Sequence, residues 1–394
     1  MLVISDNVGG RNIPKPAALA IVIIIVVIVA AAAYMGTQPA ASPTAAPTTA
    51  APTTVTATAT ATTTAPPTAT HEITPTATTP PQLKMAAIHW TPSVFATTWD
   101  ILQHEPMLRM EEKYDLVFDF SESVGIPDAE RVARSYADKG YDIIFFTSWF
   151  PDAIRAVAGD YPEVVCIGAG GGVELHILYP PPEEIPPNVG HYDAFIHEAS
   201  FLNGYLAGKM TETNVVGIVG TIPVINNNQR NNAFIEGVKT ANPDADVKLA
   251  YIYSFFDPVS AKEAAFAMID QGADILYSGA TGVEEAASER GVYLCAAQLA
   301  RLFQAGAQEI VISSDYWILD PILDEIVSSV IEDKFESKEY FKNMADGGAD
   351  FLIHLPDDIP ADIISELDDF KERIIQGVYV VVPNSAPPEE FWGL

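Results

Sequence analysis

The sequence predicts an α/β protein with two similar lobes, each built on a sheet of mainly parallel strands. Residues 138–149 reappear in altered form at 270–279, so one helix-strand unit is present twice. Apolar side chains at helical spacing precede each copy, and an apolar strand follows each copy directly. These stripes are Ala129, Val132, Ala133, Tyr136 and Ala137, and Ala261, Ala264, Ala265, Met268 and Ile269. Strands also alternate with helices after residue 84, which is typical of βαβ units.

The other predicted elements follow in chain order. The first part contains strands at 84–90, 115–120 and 163–167 and a helix that ends at 110. The second contains a helix from 198, strands at 215–220 and 247–254, a helix at 233–239 and the run 294–298, which we predict to be helical. The last contains a helix at 321–333, a strand at 351–355 and a helix at 360–377. Because this last part is expected to return to the first lobe, several segments should form the hinge.

We divide the chain accordingly. The expected parts are a cytoplasmic N-terminus (1–16), a transmembrane anchor (17–35), a stalk (36–83), lobe 1 (84–209), lobe 2 (210–313), and return segments that belong mainly to lobe 1 and the hinge (314–394).

The segment from Ala17 to Met35 is uncharged and apolar. As a helix it would extend about 28 Å, close to the roughly 30 Å of a bilayer core. Arg11 and Lys15 precede it, and no charge follows until Glu72, so the positive-inside rule places the folded part outside the membrane. A cleaved signal peptide is the alternative, although its apolar region is usually shorter, about 7–15 residues.

The segment that follows is rich in Thr, Ala and Pro and lacks the apolar pattern of a folded core. We predict a disordered stalk.

Charge limits the partners of the folded part. The charges before residue 84 cancel, so the whole formal net charge of −31 lies after that point. Such an acidic domain repels nucleic-acid phosphates, which makes a nucleic acid an unsuitable partner and a neutral or cationic small molecule a suitable one.

No motif for catalysis or metal binding is present. The chain has two cysteines, Cys166 and Cys295, which fall in different predicted lobes and are expected to be buried free thiols. The histidines lack metal-ligand spacing, and G-x-S-x-G is absent. We therefore predict no cofactor, no metal and no enzyme activity; a nucleosidase is the competing enzyme hypothesis.

Several segments in a fixed order resemble the basic membrane protein family of ABC-transporter substrate-binding proteins, which includes purine-nucleoside-binding lipoproteins. The most specific is Glu198 to Met210, which is similar to the family's Glu-x-x-Phe/Tyr-Leu-Ala-Gly helix, followed by Val216 to Pro223. Phe255 to Pro258 resembles the aromatic-x-Asp-Pro motif, and Lys262 to Tyr277 continues the match. The resemblance covers about residues 84–380 and implies a type I periplasmic-binding-protein fold.

The resemblance also implies the kind of site. Family members hold a purine between aromatic rings and bind ribose hydroxyls with carboxylates, so Trp99, Trp149, Phe150 and Phe255 become candidate stacking residues. Each could instead be a core or lid aromatic. Glu198 is the candidate for hydroxyl or base N–H recognition, and its alternative role is that of a carboxylate favoured at a helix start. Asn226 and Trp317 complete the candidate ligand-binding residues.

The sequence departs from the family's pattern at several positions, and one of them is an Asp that contacts ligand in the family. The family's Asp after Gly291 is absent, and Ala345 stands where a Lys usually precedes Asp346 and Gly347. We expect a membrane-anchored, extracytoplasmic protein that captures a purine nucleoside or nucleobase by lobe closure and delivers it to an ABC permease and its ATPase. The alternatives are a ligand-sensing ectodomain without transport and a different small neutral solute.

Overall fold

The structure is a computed structural model that describes residues 82–170, 175–179, 184–297, 309–388 and 392. The predicted cytoplasmic N-terminus and anchor, and the stalk up to residue 81, lie outside the described residues. Within the described ranges, none of the helices combines the length and the apolar composition needed to cross a bilayer.

Two six-stranded sheets organise the described residues. The first contains β1 (Lys84–Ile88), β2 (Val117–Ser121), β3 (Ile143–Phe146), β4 (Val165–Ala169), β5 (Val189–Ala194) and β11 (Glu339–Lys342). The second contains β6 (Val215–Gly220), β7 (Asp246–Tyr251), β8 (Ile275–Ser278), β9 (Tyr293–Ala297), β10 (Val311–Trp317) and β12 (Ala349–Ile353).

The helices lie on both faces of these sheets. They are α1 (Thr98–Tyr114), α2 (Ile126–Asp138), α3 (Pro151–Asp160), α4 (Leu175–Leu178), α5 (His197–Met210), α6 (Ile225–Ala241), α7 (Pro258–Asp270), α8 (Val283–Arg290), α9 (Asp320–Ile331) and α10 (Ala361–Ile375), with a 3₁₀ turn at Pro356–Asp358. The central strands are buried on both faces, as in β3 and β4, which explains their continuous apolar runs.

The strand order confirms the repeat that the sequence predicts. The first sheet runs β11-β5-β4-β3-β1-β2, and the second runs β12-β10-β9-β8-β6-β7. Every pairing in the first sheet is parallel, and in the second sheet only β12 is antiparallel to its neighbour β10. The two repeated units supply the equivalent strands β3 and β8. The two α/β lobes with mainly parallel sheets are therefore confirmed.

The hinge consists of short connections between the sheets. Among the described residues, the chain passes from one sheet to the other at 195–196, 318–319 and 343–348. The second and third connections are bonded to each other, because the Ile318 N–H donates to the Gly348 carbonyl over 2.9 Å. Several adjacent strands of chain allow two lobes to rotate while each keeps its own packing.

The lobe boundaries differ from the expectation. Helix α5 packs in the core of the second lobe, where Phe201 and Leu202 are buried against β6 and α6, although residues up to 209 were assigned to lobe 1. After residue 313 the chain divides between the lobes: α9 and β11 join the first, and β12 and α10 join the second. Apolar periodicity defines a buried face but does not say which sheet covers it.

Two local predictions were wrong. Residues 294–298 were expected to be helical, but β9 occupies 293–297 between β8 and β10. A short apolar run does not distinguish a buried strand from a helix. The helix expected at 233–239 begins eight residues earlier, at Ile225 in α6. Strands β5 and β11 were not predicted.

Helices α5 and α6 cross at very close range. A Cβ added to Gly204 would lie 1.9 Å from the Phe234 carbonyl oxygen, and one added to Gly237 would lie 2.1 Å from the Phe201 oxygen. The two backbones therefore touch where only glycine fits. This crossing fixes the axis of α6. It therefore also fixes the first two turns of α6, which lie near the carboxyl end of β6.

The cysteines occupy the predicted setting. Cys166 lies in β4 and Cys295 in β9, and both are buried free thiols. Burial raises the pKa of both thiols, that of Cys295 to about 12, so neither is reactive at neutral pH.

Candidate functional site

The carboxyl ends of the parallel strands in the two sheets meet at one cleft. Trp90, just after β1, packs edge-on against Phe255, which follows β7, with ring centroids 5.6 Å apart. Farther along, the Thr281 hydroxyl donates to the Ala96 carbonyl over 3.5 Å. The lobes thus touch across the cleft. A crevice outside the carboxyl ends of the strands is the usual ligand site of open α/β sheets.

Trp99 and Trp317 form an aromatic pair at the base of this cleft. Their ring centroids are 4.6 Å apart. Trp99 stands in the first turn of α1, whose N-cap Thr97 accepts a bond from the Asp100 N–H. Its indole N–H donates to the Thr147 carbonyl over 2.7 Å, which fixes the ring. Both tryptophans are candidates from the sequence, and the structure brings them together.

Trp317 has a donor without a partner. It ends β10 next to the hinge and is buried in the first-lobe core with Leu319 and Tyr192. Its indole N–H is inaccessible to water and makes no hydrogen bond. A buried donor of this kind costs free energy unless something accepts from it, about 1–3 kcal/mol.

Gly170 completes the base of the cleft. Its φ is +76°, which favours glycine, and a Cβ at this position would lie 2.8 Å from the Trp99 ring. The same Cβ would be 3.6 Å from the amide nitrogen of Asn226, which belongs to the other lobe. Asn226, in the first turn of α6, therefore faces Gly170 across the cleft, as a ligand-binding residue of the second lobe would.

The two aromatic candidates after β3 differ in burial: Trp149 is exposed and Phe150 is buried. Trp149 is 47% exposed. Phe150 is 1% exposed and packs against Phe146 and Ile154 inside the first-lobe core. Phe150 is also the N-cap of α3. The structure thus gives Phe150 the core role that the sequence analysis left open.

The Glu198 carboxylate is hydrogen-bonded to the hinge. It accepts a hydrogen bond of 2.8 Å from the Met344 N–H, in the third connection between the lobes. Burial raises the pKa of Glu198, and the nearby Asp346 adds to the increase, whereas the Met344 N–H opposes it. In this conformation the carboxylate holds hinge backbone, which is a structural role beyond the two that the sequence suggested.

A buried polar cluster lies beneath the first-lobe rim. The His89 ring, fully buried, has Nδ1 3.1 Å from the Thr147 hydroxyl and 3.5 Å from the Asp100 carboxylate. The His104 ring is 5.8 Å away, and burial, followed by the charge of His89, lowers its pKa. This cluster anchors the loop that carries Trp90 and Ala96.

Sequence reasoning missed several residues of the cleft. Trp90 directly follows β1, just as Trp149 follows β3, so the same rule could have found it. Arg230 lies in an Asn-rich run and is 8% exposed. Its Nη2 donates to the Asn227 side-chain oxygen over 3.0 Å, and its Nε makes no hydrogen bond. In the parts of the chain that the structure describes, no group of His, Cys, Asp and Glu side chains is arranged to hold a metal ion.

Comparison with known families agrees with the motifs. Residues 99–384 match the sequence model of a family described as Bmp, ABC transporter substrate-binding protein PnrA-like. This match confirms the resemblance stated from the sequence.

Two curated relatives differ in the ligand that their names state. A putative ABC transporter glucose-binding protein, TsgA13, of Haloferax volcanii is 30% identical over 63% of this chain and 61% of its own length. A purine-binding protein of Brucella abortus is 28% identical over 59% of this chain and 64% of its own length. The chain thus spans somewhat less than two thirds of either relative.

Solved structures agree on the fold. A solute-binding protein of an ABC transporter system from Conexibacter woesei is similar with a TM-score of 0.62 and 22% identity, over 77% of this chain and 99% of that one. One from Aeropyrum pernix has a TM-score of 0.63 at 17% identity, over 77% of this chain and 94% of that one.

Proposed function

Because the chain belongs to the family of PnrA-like ABC transporter substrate-binding proteins, we propose that it captures a purine nucleoside or nucleobase outside the cell membrane and delivers it to an ABC permease and its ATPase. The predicted N-terminal segment 17–35 would tether it to the membrane. No chemistry is performed on the ligand. Binding and lobe closure are the whole mechanism, and the closed form is the one that the permease recognises.

The observation that carries the proposal is the aromatic lining supplied by both lobes. Trp90 and Phe255 meet across the cleft, and Trp99 with Trp317 forms its base. Flat aromatic faces bind a flat, uncharged heterocycle well. An acidic protein with a net charge of −31 also favours a neutral ligand over an anionic one.

A polar side chain of the second lobe lies beside these rings. The Asn226 amide nitrogen, in the first turn of α6, would lie 3.6 Å from a Cβ on Gly170, at the base of the cleft. A ligand that bonded Asn226 and stacked on the first-lobe rings would link the lobes. This gives closure a physical cause, since the closed form is favoured only by contacts that the open form lacks.

A hexose is the second candidate. It is favoured by the similarity to the glucose-binding relative of Haloferax volcanii. A sugar ring also packs against tryptophan, so the aromatic lining alone does not separate the two ligands.

Thermal unfolding of the full-length chain, purified in detergent, tests the proposal. The panel contains inosine, guanosine, adenosine, hypoxanthine, glucose, ribose and leucine. A ligand at 100 times its dissociation constant adds about 2.7 kcal/mol to the free energy of unfolding, which raises the Tm by a few degrees. We expect purines alone to raise it. A rise with glucose and none with purines would favour the hexose.

A matched variant separates site binding from unspecific effects. Trp99→Ala removes one ring of the base and should abolish the ligand-induced rise, whereas the exposed Phe256→Ala should keep it. If both variants keep the rise, the purine binds elsewhere.

A further inference from the structure

Arg230 is a buried cation that is only partly paired. The side chain is 8% exposed, its Nη2 donates to the Asn227 oxygen over 3.0 Å, and its Nε makes no hydrogen bond. Its charge and that of the buried Asp315 carboxylate both act on the phenol of Tyr277. A buried guanidinium N–H without an acceptor costs free energy, so this side chain is suited to an acceptor from outside the chain.

Its position is at the wall of the cleft. Arg230 lies in the second turn of α6, one turn after Asn226, so the two residues share a face of the helix. Asn227, the partner of Arg230, is tied by its own amide to the Thr221 hydroxyl over 3.0 Å and to the Ile222 carbonyl over 2.8 Å. These belong to the loop at the carboxyl end of β6.

The neighbours of Arg230 hold it in place. Its positive charge acts on the phenol of Tyr277, whose pKa burial raises well above the usual value. The Tyr277 ring stacks on Phe234 with centroids 4.1 Å apart and planes 7° apart, and its hydroxyl donates to Asp315 over 2.6 Å. Arg230 therefore lies near a fixed group of aromatic and polar side chains, and its bond to Asn227 orients the guanidinium.

The chemistry of a guanidinium selects a particular ligand edge. Its N–H donors lie in one plane, so two of them can bond two coplanar acceptors at once. Arginine makes this bidentate contact with the O6 and N7 acceptors of guanine, whereas adenine replaces the O6 acceptor with an amino donor. An acidic chain does not favour a phosphate or carboxylate as the alternative acceptor.

We infer that Arg230 binds the O6 and N7 edge of a 6-oxopurine, so that the protein selects inosine, guanosine, hypoxanthine or guanine over adenosine and adenine. This inference rests on the proposed function, because it names the purines within the class that the cleft takes. Asn226 and Arg230 then contact the base from α6 while the tryptophan pair lies at the base of the cleft.

Calorimetric titration of the full-length chain with guanosine, inosine and adenosine tests the inference. We expect guanosine and inosine to bind about ten- to a hundredfold more tightly than adenosine, the range that a bidentate base contact supports. Arg230→Met should remove most of that preference and leave weak, similar binding of all three. Arg131→Gln, which changes an exposed arginine of α2, should leave the preference intact.

Two further measurements keep the test independent of folding. The Tm of ligand-free Arg230→Met should equal or exceed that of the wild type, because a poorly paired buried charge is lost. In the wild type, 7-deazaguanosine, which lacks the N7 acceptor, should bind about tenfold or more weakly than guanosine. If adenosine and inosine bind equally, or 7-deazaguanosine equals guanosine, the inference is overturned and purine binding stands. If no purine binds, both this inference and the proposed function are wrong.

Discussion

The ring of Trp90 in the first lobe lies 5.6 Å from the ring of Phe255 in the second, at an interplanar angle of 72°. This edge-to-face contact bridges the mouth of the cleft. Because it joins residues on opposite lobes, it exists only while the lobes are closed, and it adds to the free energy of closure.

Removing this contact should weaken ligand binding. An aromatic pair contributes about 0.5–1.5 kcal/mol beyond its burial, so Trp90→Ala or Phe255→Ala should raise the Kd about two- to tenfold by calorimetry. The double variant should lose little more than either single variant. Phe256→Ala, one residue along and similarly exposed, is the control. An equal loss of affinity in Phe256→Ala would show that the Trp90–Phe255 contact is not the cause of the weaker binding.

Gly170→Ala should disturb both the backbone and the tryptophan pair. The new Cβ would meet the Trp99 ring at 2.8 Å, and the φ of +76° would add roughly 1–2 kcal/mol of strain. We expect a lower Tm and a clear loss of ligand affinity. Gly140→Ala is a matched control, because Gly140 has a φ of +72° and nothing within 4 Å of its Cβ position. It should lose stability and keep its affinity; an affinity loss in both would refute the role given to Trp99.

The His191 imidazole links β5 to the base of the cleft and should make stability depend on pH. Its Nδ1 bonds Glu339 and its Nε2 lies 2.9 Å from the Gly170 carbonyl, so both ring nitrogens face acceptors. Burial opposes the charged form, but the hydrogen bond and charge of Glu339 outweigh it and raise the pKa of His191.

A group with a raised folded-state pKa stabilises the protein fully below its unfolded pKa, about 6.5, and loses that contribution as the pH rises through the folded value. The wild type should therefore be more stable than Glu339→Gln at pH 6, with the difference shrinking at higher pH. Urea unfolding of both proteins across this range measures it. A difference that grows with pH would contradict the assigned charge state.

His197, in contrast to His191, should make the protein less stable as the pH falls. It starts α5, its Nε2 lies 3.2 Å from the Val381 carbonyl, and burial lowers its pKa to about 4. Between about 6.5 and 4 the unfolded chain binds a proton that the folded chain does not, so stability falls as the pH drops, by up to about 3 kcal/mol. His197→Asn should remove that part of the acid loss. An unchanged acid profile in this variant would show that His197 is not the group responsible.

The sequence predicted the elements that local pattern controls. The repeated unit gave two equivalent strands, β3 and β8, and the burial of Cys166 and Cys295 followed from their apolar surroundings. The family resemblance supplied Trp99 and Phe255 as candidates, and Asn226 was selected with them; all three lie at the cleft.

Features that depend on distant partners were beyond sequence reasoning. Glu198 bonds Met344, which is far along the chain, so its hinge role has no local signal. The Asn-rich start of α6 reads as a loop, yet it is helical and largely buried because the C-terminal segment bonds it: the Asn232 amide donates to the Asn384 and Ala386 carbonyls, each over 2.8 Å. Arg230 was not selected from the sequence because it lies in this Asn-rich run.

Calorimetric titration of the full-length chain with inosine, and in parallel with glucose, tests whether the aromatic cleft binds a purine. We expect saturable binding of one inosine per chain, lost in Trp99→Ala, and no binding of glucose under the same conditions. Saturable binding of glucose with none of inosine would contradict it, and would assign the aromatic cleft to a sugar.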